Sequence, residues 1–269
     1  MKGFHFILRI AAGLCLFLAA MIGCAQGANY TPEVGQAGKD VIWLPTQHTL
    51  VDTMLDMAKV TSSDYVIDLG SGDGRIVITA AKRGATALGI EYNPDMVEFA
   101  RRSAVKEGVS ERASFEKADI FEYDFSKATV ITMFLLTDIN LELRPTILDM
   151  KPGTRIVSNT FDMADWEPDE TVTLPESGLS SYNTAHLWIV PAKVNGTWQL
   201  DNGQINFVQT FQYITGVMTI AGKDINLTGK LDGDKISFNA GGSDEYTGIV
   251  SGGTISGTYG KSGSWKATR

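Results

Sequence analysis

The stretch VIDLGSGDGRIVI, from Val66 to Ile78, places three glycines at alternate positions between two apolar runs. An apolar run that ends in glycine predicts a buried strand, and the apolar residues after the glycines predict a helix. Gly70, Gly72 and Gly74 would let the backbone turn sharply and bring its N–H groups close to a ligand, where a β-carbon would collide. We therefore expect a ligand-binding loop between a strand and a helix.

The residue after the third glycine narrows the choice of ligand. The nicotinamide dinucleotide pattern G-x-G-x-x-G would need a glycine at position 75, where this chain has Arg75. An acid, Asp68, stands two residues before the first glycine. This arrangement suits S-adenosylmethionine (SAM), which has no phosphate groups to bind and whose ammonium a carboxylate can hold.

Two further acids follow the next two predicted strands. Glu91 closes the second strand, where nucleotide sites of α/β folds place a carboxylate on the ribose diol. Asp119, in KADIF, closes the third strand and is placed to accept from the adenine amine. The competing interpretation is a tight glycine turn with acids that cap helices. The residues of the loop itself complete the predicted contacts: Gly70, Ser71, Gly72, Asp73 and Gly74.

The pattern of the whole chain divides into three segments. Residues 1–27 form a predicted signal or anchor, 28–192 an α/β domain, and 193–269 a β domain. In the second segment strands alternate with helices, which predicts a Rossmann-like parallel sheet with helices on both faces and a ligand at the strands' carboxyl ends. Its fourth strand is expected over 128–136. From Gly196 onward, short alternating segments separated by glycines predict an antiparallel barrel or sandwich.

The N-terminus carries the features of an export signal. Lys2 and Arg9 precede an uncharged apolar run from Ile10 to Ile22, which is short for a membrane-spanning helix. We expect export to the periplasm or cell envelope. Met21-Ile22-Gly23-Cys24 resembles a lipoprotein box that would leave Cys24 lipidated, whereas the small residues after it suit an ordinary signal peptidase; an uncleaved anchor is the alternative to both.

Composition excludes some classes of site. Residues 31–192 hold 14 Lys and Arg against 25 Asp and Glu, so this domain would repel phosphate backbones, and nucleic acid is not an expected partner. A lysine-bearing protein would be compatible, although acidic surfaces also serve solubility. Both cysteines, Cys15 and Cys24, lie in the N-terminal segment, and only His48 and His186 follow it. We therefore expect no disulfide and no metal site.

The glycine loop and its continuation, VIDLGSGDGRIVITAAKRGATALGIEYNP, resemble motif I of the class I, seven-strand SAM-dependent methyltransferases. The resemblance covers about Val41 to Pro168 and points to the small protein-lysine methyltransferases related to the ATP synthase c-subunit methyltransferase, with a more distant similarity to the Dot1 histone methyltransferases. VIWLPTQ is similar to an element that folds over the cofactor in that family, which implies that Thr46 contacts it; Gln47 stands where relatives have proline. LWIVPAKVNGTW is similar to exported bacterial members with an added β domain.

The resemblance implies a SAM-dependent methyltransferase with a protein lysine as acceptor. A non-catalytic envelope binding or assembly protein that keeps the fold is the alternative. No catalytic residue stands out, because a sulfonium methyl is already activated. Phe134 to Leu136 would form an apolar wall, and the Asp/Asn-Pro-Pro-Tyr/Phe element of nucleobase methyltransferases is missing there. Asp138 and Asn140 are candidate bases that also suit a helix start. The barrel aromatics could bind an acceptor or fill the interior: Phe207, Phe211, Tyr213 and Tyr246.

Overall fold

The computed structural model describes residues 30–175, 181–242 and 245–269. The predicted signal, its cleavage or lipidation site and both cysteines lie outside these ranges. The described chain forms a seven-stranded sheet followed by a closed barrel of eight strands. Among the described helices, none combines the length and apolarity required to cross a bilayer.

The sheet has the strand order β3-β2-β1-β4-β5-β7-β6. Its first five strands pair in parallel, whereas β7 runs antiparallel to both β5 and β6 and closes the edge as a hairpin. This topology confirms the predicted Rossmann-like α/β fold. The strands are β1 (Tyr65–Leu69), β2 (Thr86–Glu91), β3 (Ala113–Lys117), β4 (Val130–Met133), β5 (Arg155–Asn159), β6 (Glu170–Thr173) and β7 (Thr184–Ile189).

Helices cover both faces of the sheet, as predicted. Alternate residues of β1 enter two separate apolar clusters, Val66 in one and Ile67 in the other. The first cluster includes residues of α1, α2 and α3, and the second includes residues of α4. The helices are α1 (His48–Met57), α2 (Arg75–Lys82), α3 (Pro94–Lys106) and α4 (Thr137–Leu148).

The fourth strand is shorter than the predicted 128–136. The backbone N–H of Ala128 donates to Phe125 in a turn before the strand, and the carbonyl of Leu136 accepts from Asn140 in the first turn of α4. Backbone groups engaged in a turn or a helix cannot join the strand ladder. The apolar run therefore extends beyond the strand at both ends, and it leaves Phe134 and Leu135 at the carboxyl edge of the sheet.

The C-terminal strands close into a barrel, which decides between the two predicted β architectures. The ring β10-β11-β12-β13-β14-β15-β8-β9 is antiparallel throughout. Buried apolar side chains such as Trp198, Phe207 and Phe238 fill the interior. The strands are β8 (Gly196–Leu200), β9 (Gly203–Thr210), β10 (Tyr213–Ile220), β11 (Lys223–Asp232), β12 (Lys235–Ala240), β13 (Glu245–Ser251), β14 (Thr254–Tyr259) and β15 (Gly263–Thr268).

The barrel packs on the sheet domain through the segment that follows β5. The ring of Phe211 stacks on Trp166 with 5.7 Å between centroids, and the buried Gln212 side chain donates to the carbonyl of Glu167 at 2.8 Å. On the same side, the Lys230 ammonium lies 2.8 Å from the Asp169 carboxylate. Phe211 therefore packs at the junction between the sheet domain and the barrel, and Phe207 is buried in the barrel interior.

Candidate active site at the carboxyl ends of the strands

A pocket opens at the carboxyl ends of β1, β2 and β4, where the sequence predicted the ligand. It encloses about 970 Å³ including its open mouth. Residues 36–46 cover one side of it, and the barrel contributes no lining residue in the described ranges. Of the predicted contacts, the lining includes Thr46, Asp68, Gly70, Ser71, Asp73, Glu91 and Asp119.

Three N–H groups of the glycine loop are engaged within the protein, whereas the sequence-based expectation was that the loop offers its N–H groups to a ligand. The N–H groups of Gly70 and Ser71 both donate to the carbonyl of Ile90, and that of Gly74 donates to Ser71. At Gly74, with φ of 82°, a β-carbon would lie 2.6 Å from the ring of Phe115. Gly74 thus allows helix α2 to begin close against β3, and it does not line the pocket.

Glu91 joins the glycine loop to the end of β2. One carboxylate oxygen accepts from the N–H of Gly72 at 3.0 Å, and the other accepts from the N–H of Asn93 at 2.8 Å. These two bonds hold both oxygens at the rim of the pocket. Because an ionised carboxylate has about four acceptor positions, two remain for a ligand diol.

Asp68 lies at the bottom of the pocket and is 3 % exposed. Its neighbour on β4 in the strand register, Thr132, donates to it from the hydroxyl at 2.7 Å. Burial raises the pKa of Asp68 from 3.8 to about 7; the Thr132 hydrogen bond opposes that rise, and the charges of Asp73 and Glu91 add to it. A buried carboxylate with one hydrogen bond is stabilised by a cation that enters the pocket.

Asp119 has a partner that the sequence did not reveal. The Lys39 ammonium donates to its carboxylate at 2.6 Å and lies 5.5 and 5.3 Å from the ring centroids of Tyr92 and Phe121. The Lys39 hydrogen bond lowers the pKa of Asp119, and the N–H of Phe121 contributes to the same shift. A lysine from the covering segment therefore occupies the acceptor group that was predicted for adenine.

The covering segment is fixed to the sheet domain at Thr46, which is buried. The Arg75 guanidinium donates to its carbonyl at 2.6 Å, and the Asn159 amide donates to its hydroxyl at 3.1 Å. Gln47 has φ of −62°, the angle that proline would impose, so the change from the family pattern preserves the backbone here. Arg75 and Asn159 are site residues that sequence reasoning missed, because their role depends on contacts across 29 and 113 positions.

The charges around the pocket match SAM. Carboxylates outnumber cations in the lining, and SAM carries an ammonium and a sulfonium against one carboxylate. Asp68 lies at the bottom of the pocket, Glu91 at its rim, and Asp119 in the ion pair with Lys39. The charged lining residues are Asp40, Asp68, Asp73, Glu91 and Asp119, with Lys39 and Arg75.

The remaining candidates have structural environments. Asn140 is buried, and its amide donates to the carbonyls of Phe161 and Asp162 at 3.1 Å. It therefore holds a loop and cannot act as a base. His186 interacts with the Thr171 hydroxyl and the Thr160 carbonyl, and burial lowers its pKa. Within residues 30–175, 181–242 and 245–269, no cluster of His, Cys, Asp and Glu could hold a metal ion.

Comparisons with known proteins identify related chains. The family model described as the ANTKMT methyltransferase domain matches residues 68–170. A protein-lysine N-methyltransferase of Saccharolobus islandicus is 42% identical over 165 residues, which are 60% of this chain and 97% of that protein. The ATP synthase c-subunit lysine N-methyltransferase of Homo sapiens is 32% identical, and the match covers 56% of this chain and 67% of that protein.

A similar chain has a solved structure with a bound ligand. The crystal structure of an RNA methyltransferase from Salinibacter ruber in complex with S-adenosyl-L-homocysteine is 44% identical, with a TM-score of 0.53, and the match covers 56% of this chain and 96% of that one. S-adenosyl-L-homocysteine is the product that remains when SAM has lost its methyl group. The sheet, the acid-lined pocket and these relatives lead to one conclusion: the chain belongs to the SAM-dependent protein-lysine N-methyltransferase family.

Proposed function

We propose that this enzyme methylates lysine side chains of a protein at the cell envelope. In this proposal the SAM ammonium binds Asp68, the ribose diol binds Glu91, and the adenine amine binds Asp119. The observation that carries it is the convergence of these three carboxylates, from the ends of three adjacent strands, on one pocket.

When bound, SAM supplies a methyl group on a positively charged sulfur, and transfer to an amine breaks one C–S bond and leaves a neutral thioether. The protein therefore needs to hold a neutral nucleophile in line with that bond, at about 3 Å, and no metal or strong base is required. The apolar side chains of Phe134, Leu135 and Ile139 line the pocket and exclude water. Exclusion of water favours the uncharged form of a lysine amine, which releases its proton to solvent.

The negative charge of the methyltransferase domain favours a lysine over RNA as the acceptor. The Salinibacter relative is named an RNA methyltransferase, whereas the two relatives described above are named for lysine methylation. In this chain the region 31–192 carries 25 acidic and 14 basic side chains, and the pocket rim carries more carboxylates than cations. Such a surface attracts a lysine-bearing protein and repels a phosphate backbone.

An experiment with radiolabelled methyl groups would show whether the acceptor is a protein lysine. The full chain would be incubated with methyl-tritiated SAM and an envelope fraction, and the products treated with protease or with ribonuclease. We expect protease to release the label as methyl-lysine. A parallel reaction with the Asp68→Asn variant should incorporate no label. Label that ribonuclease removes would overturn the lysine proposal in favour of RNA.

An envelope location is supported by the basic start and the apolar run of residues 10–22. We propose that the chain is exported and attached through Cys24. Fractionation of tagged cells should place the protein with membranes, and Cys24→Ala should release it to the soluble envelope fraction while Cys15→Ala does not. Recovery of the wild-type protein in the cytosol would contradict export.

Lys39 competes with the adenine amine for Asp119 in this arrangement. Lys39→Met keeps the apolar stem and removes the ammonium, so we expect SAM to bind two- to fivefold more tightly, which is the range of exposed ion pairs. Calorimetric titration of the full chain would measure it, with Lys127→Met as a control at an exposed lysine outside the pocket. Weaker binding of Lys39→Met would show that Lys39 contacts SAM itself.

A further inference from the structure

Three aromatic rings form a continuous surface beside the pocket, which we name the aromatic wall: Phe134, Phe161 and Tyr182. Their centroids are 6.0 Å apart for the two phenylalanines, 5.3 Å for Phe134 and Tyr182, and 6.0 Å for Phe161 and Tyr182. All three side chains are half-buried, so each contributes an exposed part to the surface. The exposed parts together present apolar and π-electron surface to whatever enters.

The aromatic wall begins in the pocket and leads out of it. Phe134 follows β4 and lines the pocket next to Leu135. Phe161 follows β5, and Tyr182 precedes β7, which runs antiparallel to β5, so both lie at the same edge of the sheet. An elongated side chain that passes over Tyr182 and Phe161 would reach the pocket at Phe134.

The loop that carries Phe161 is held in a strained conformation. Thr160 has φ of 64°, a left-handed angle that a β-branched residue rarely adopts. The Phe161 carbonyl accepts from Asn140 at 3.1 Å and from Ser158 at 2.7 Å, and the Thr160 carbonyl lies 3.2 Å from the His186 ring nitrogen. Three side chains, from α4, from β7 and from the end of β5 itself, thus fix a backbone that is unfavourable by itself, as is typical of functional sites.

We infer that the aromatic wall admits the acceptor lysine and guides its amine to the methyl group. The inference rests on the proposed function. Aromatic faces attract an ammonium, and their apolar surface covers the four methylenes of a lysine side chain. The exposed Asp162, next to Phe161, adds negative charge at the outer end. An RNA phosphate would be repelled by the Asp162 carboxylate.

Three SAM analogues in which nitrogen replaces sulfur would test the inference by binding, without an acceptor protein. The reference analogue carries a methyl group on that nitrogen. The second carries an alkyl arm that ends in a primary amine and is long enough for the ammonium to lie over Phe161 and Tyr182. The third ends in a methyl ether in place of that amine. Calorimetry with the full chain should show that the amine arm strengthens binding about tenfold over the ether arm, within the range of cation–π contacts.

Variants of the wall residues would show whether the aromatic wall causes the preference for the amine arm over the ether arm. Phe161→Ala and Tyr182→Ala should reduce the amine-over-ether preference to less than threefold and leave the reference analogue's affinity unchanged. Phe161→Leu should lose the preference but keep the affinity of the ether arm, because it retains apolar volume without a π face. Tyr259→Ala, which removes an exposed aromatic from the barrel, is the matched control and should change nothing.

Two different failures can be told apart in this experiment. If the wild-type chain binds none of the three analogues, the proposed SAM site is wrong. If it binds the reference analogue but the arms add no affinity, or if the tenfold preference survives in Phe161→Ala and Tyr182→Ala, the SAM site stands and the inference about the aromatic wall is overturned.

Discussion

Glu91→Ala is expected to weaken SAM binding about a hundredfold. The carboxylate would accept two charge-assisted hydrogen bonds from the ribose hydroxyls, and the loss of about 2.7 kcal/mol corresponds to that factor. The substitution also leaves the N–H groups of Gly72 and Asn93 without the acceptor that orders the glycine loop. Calorimetric titration of the full chain with SAM would measure the change.

Glu91→Gln separates the contribution of the ribose hydrogen bonds from that of the ordered glycine loop. It keeps an oxygen for one backbone N–H and removes the negative charge, so its SAM affinity should lie between those of the wild type and Glu91→Ala. Circular dichroism melts of both variants would show whether the fold persists. Wild-type affinity in a folded Glu91→Ala protein would exclude Glu91 from the ribose site.

Asp68→Asn is expected to weaken SAM binding and to raise the thermal stability of the protein without ligand. The native carboxylate is buried with one hydrogen bond from Thr132, so its charge is unfavourable in the empty protein. The neutral amide removes that cost, and the melting temperature without ligand should rise at pH 8. SAM binding should fall about a hundredfold or more, because the ligand's ammonium loses its counter-charge.

The pH dependence follows from the raised pKa of Asp68, which burial moves from 3.8 to about 7. Between those values the folded protein holds a proton that the unfolded chain releases, so the contribution of this group to stability is complete below pH 4 and lost as pH rises through 7. SAM binding requires the ionised form, and its affinity should therefore fall about tenfold per pH unit below 7.

Titrations at pH 6, 7 and 8 would measure this slope, and Asp68→Asn should abolish it. Asp73→Asn is the informative comparison, because it removes one of the charges that raise the pKa but keeps the Asp68 carboxylate. In the Asp73→Asn variant, the midpoint of the pH dependence of SAM affinity should move to lower pH. A SAM affinity that is constant from pH 6 to 8 in the wild type would contradict the role of Asp68.

The sequence was sufficient for the fold class and for three carboxylates, because both depend on local patterns. Asp68, Glu91 and Asp119 each follow an apolar strand, and parallel strands bring their carboxyl ends to one edge. The alternation of short β segments likewise predicted the second architecture. Closure into a barrel could not be predicted, since it depends on the pairing of β8 with β15, which are 63 or more positions apart.

Local sequence patterns could not predict the contacts of the site, because these contacts join residues that are far apart in the chain. Lys39 reaches Asp119 across 80 positions, and the aromatic wall joins residues that precede or follow three different strands. The strained Thr160 has no glycine to mark it. At Gly74 the motif indicated the need for glycine but not its cause within the fold, because the ring of Phe115 occupies the space that a β-carbon would need.

A crystal structure of the full chain with S-adenosyl-L-homocysteine tests the central claim most directly. We predict ribose hydroxyls on the Glu91 carboxylate, the ligand ammonium on Asp68, and the adenine amine on Asp119 with Lys39 displaced. A ligand bound elsewhere, or bound in this pocket with Glu91 and Asp68 making no contact to it, would contradict the assignment.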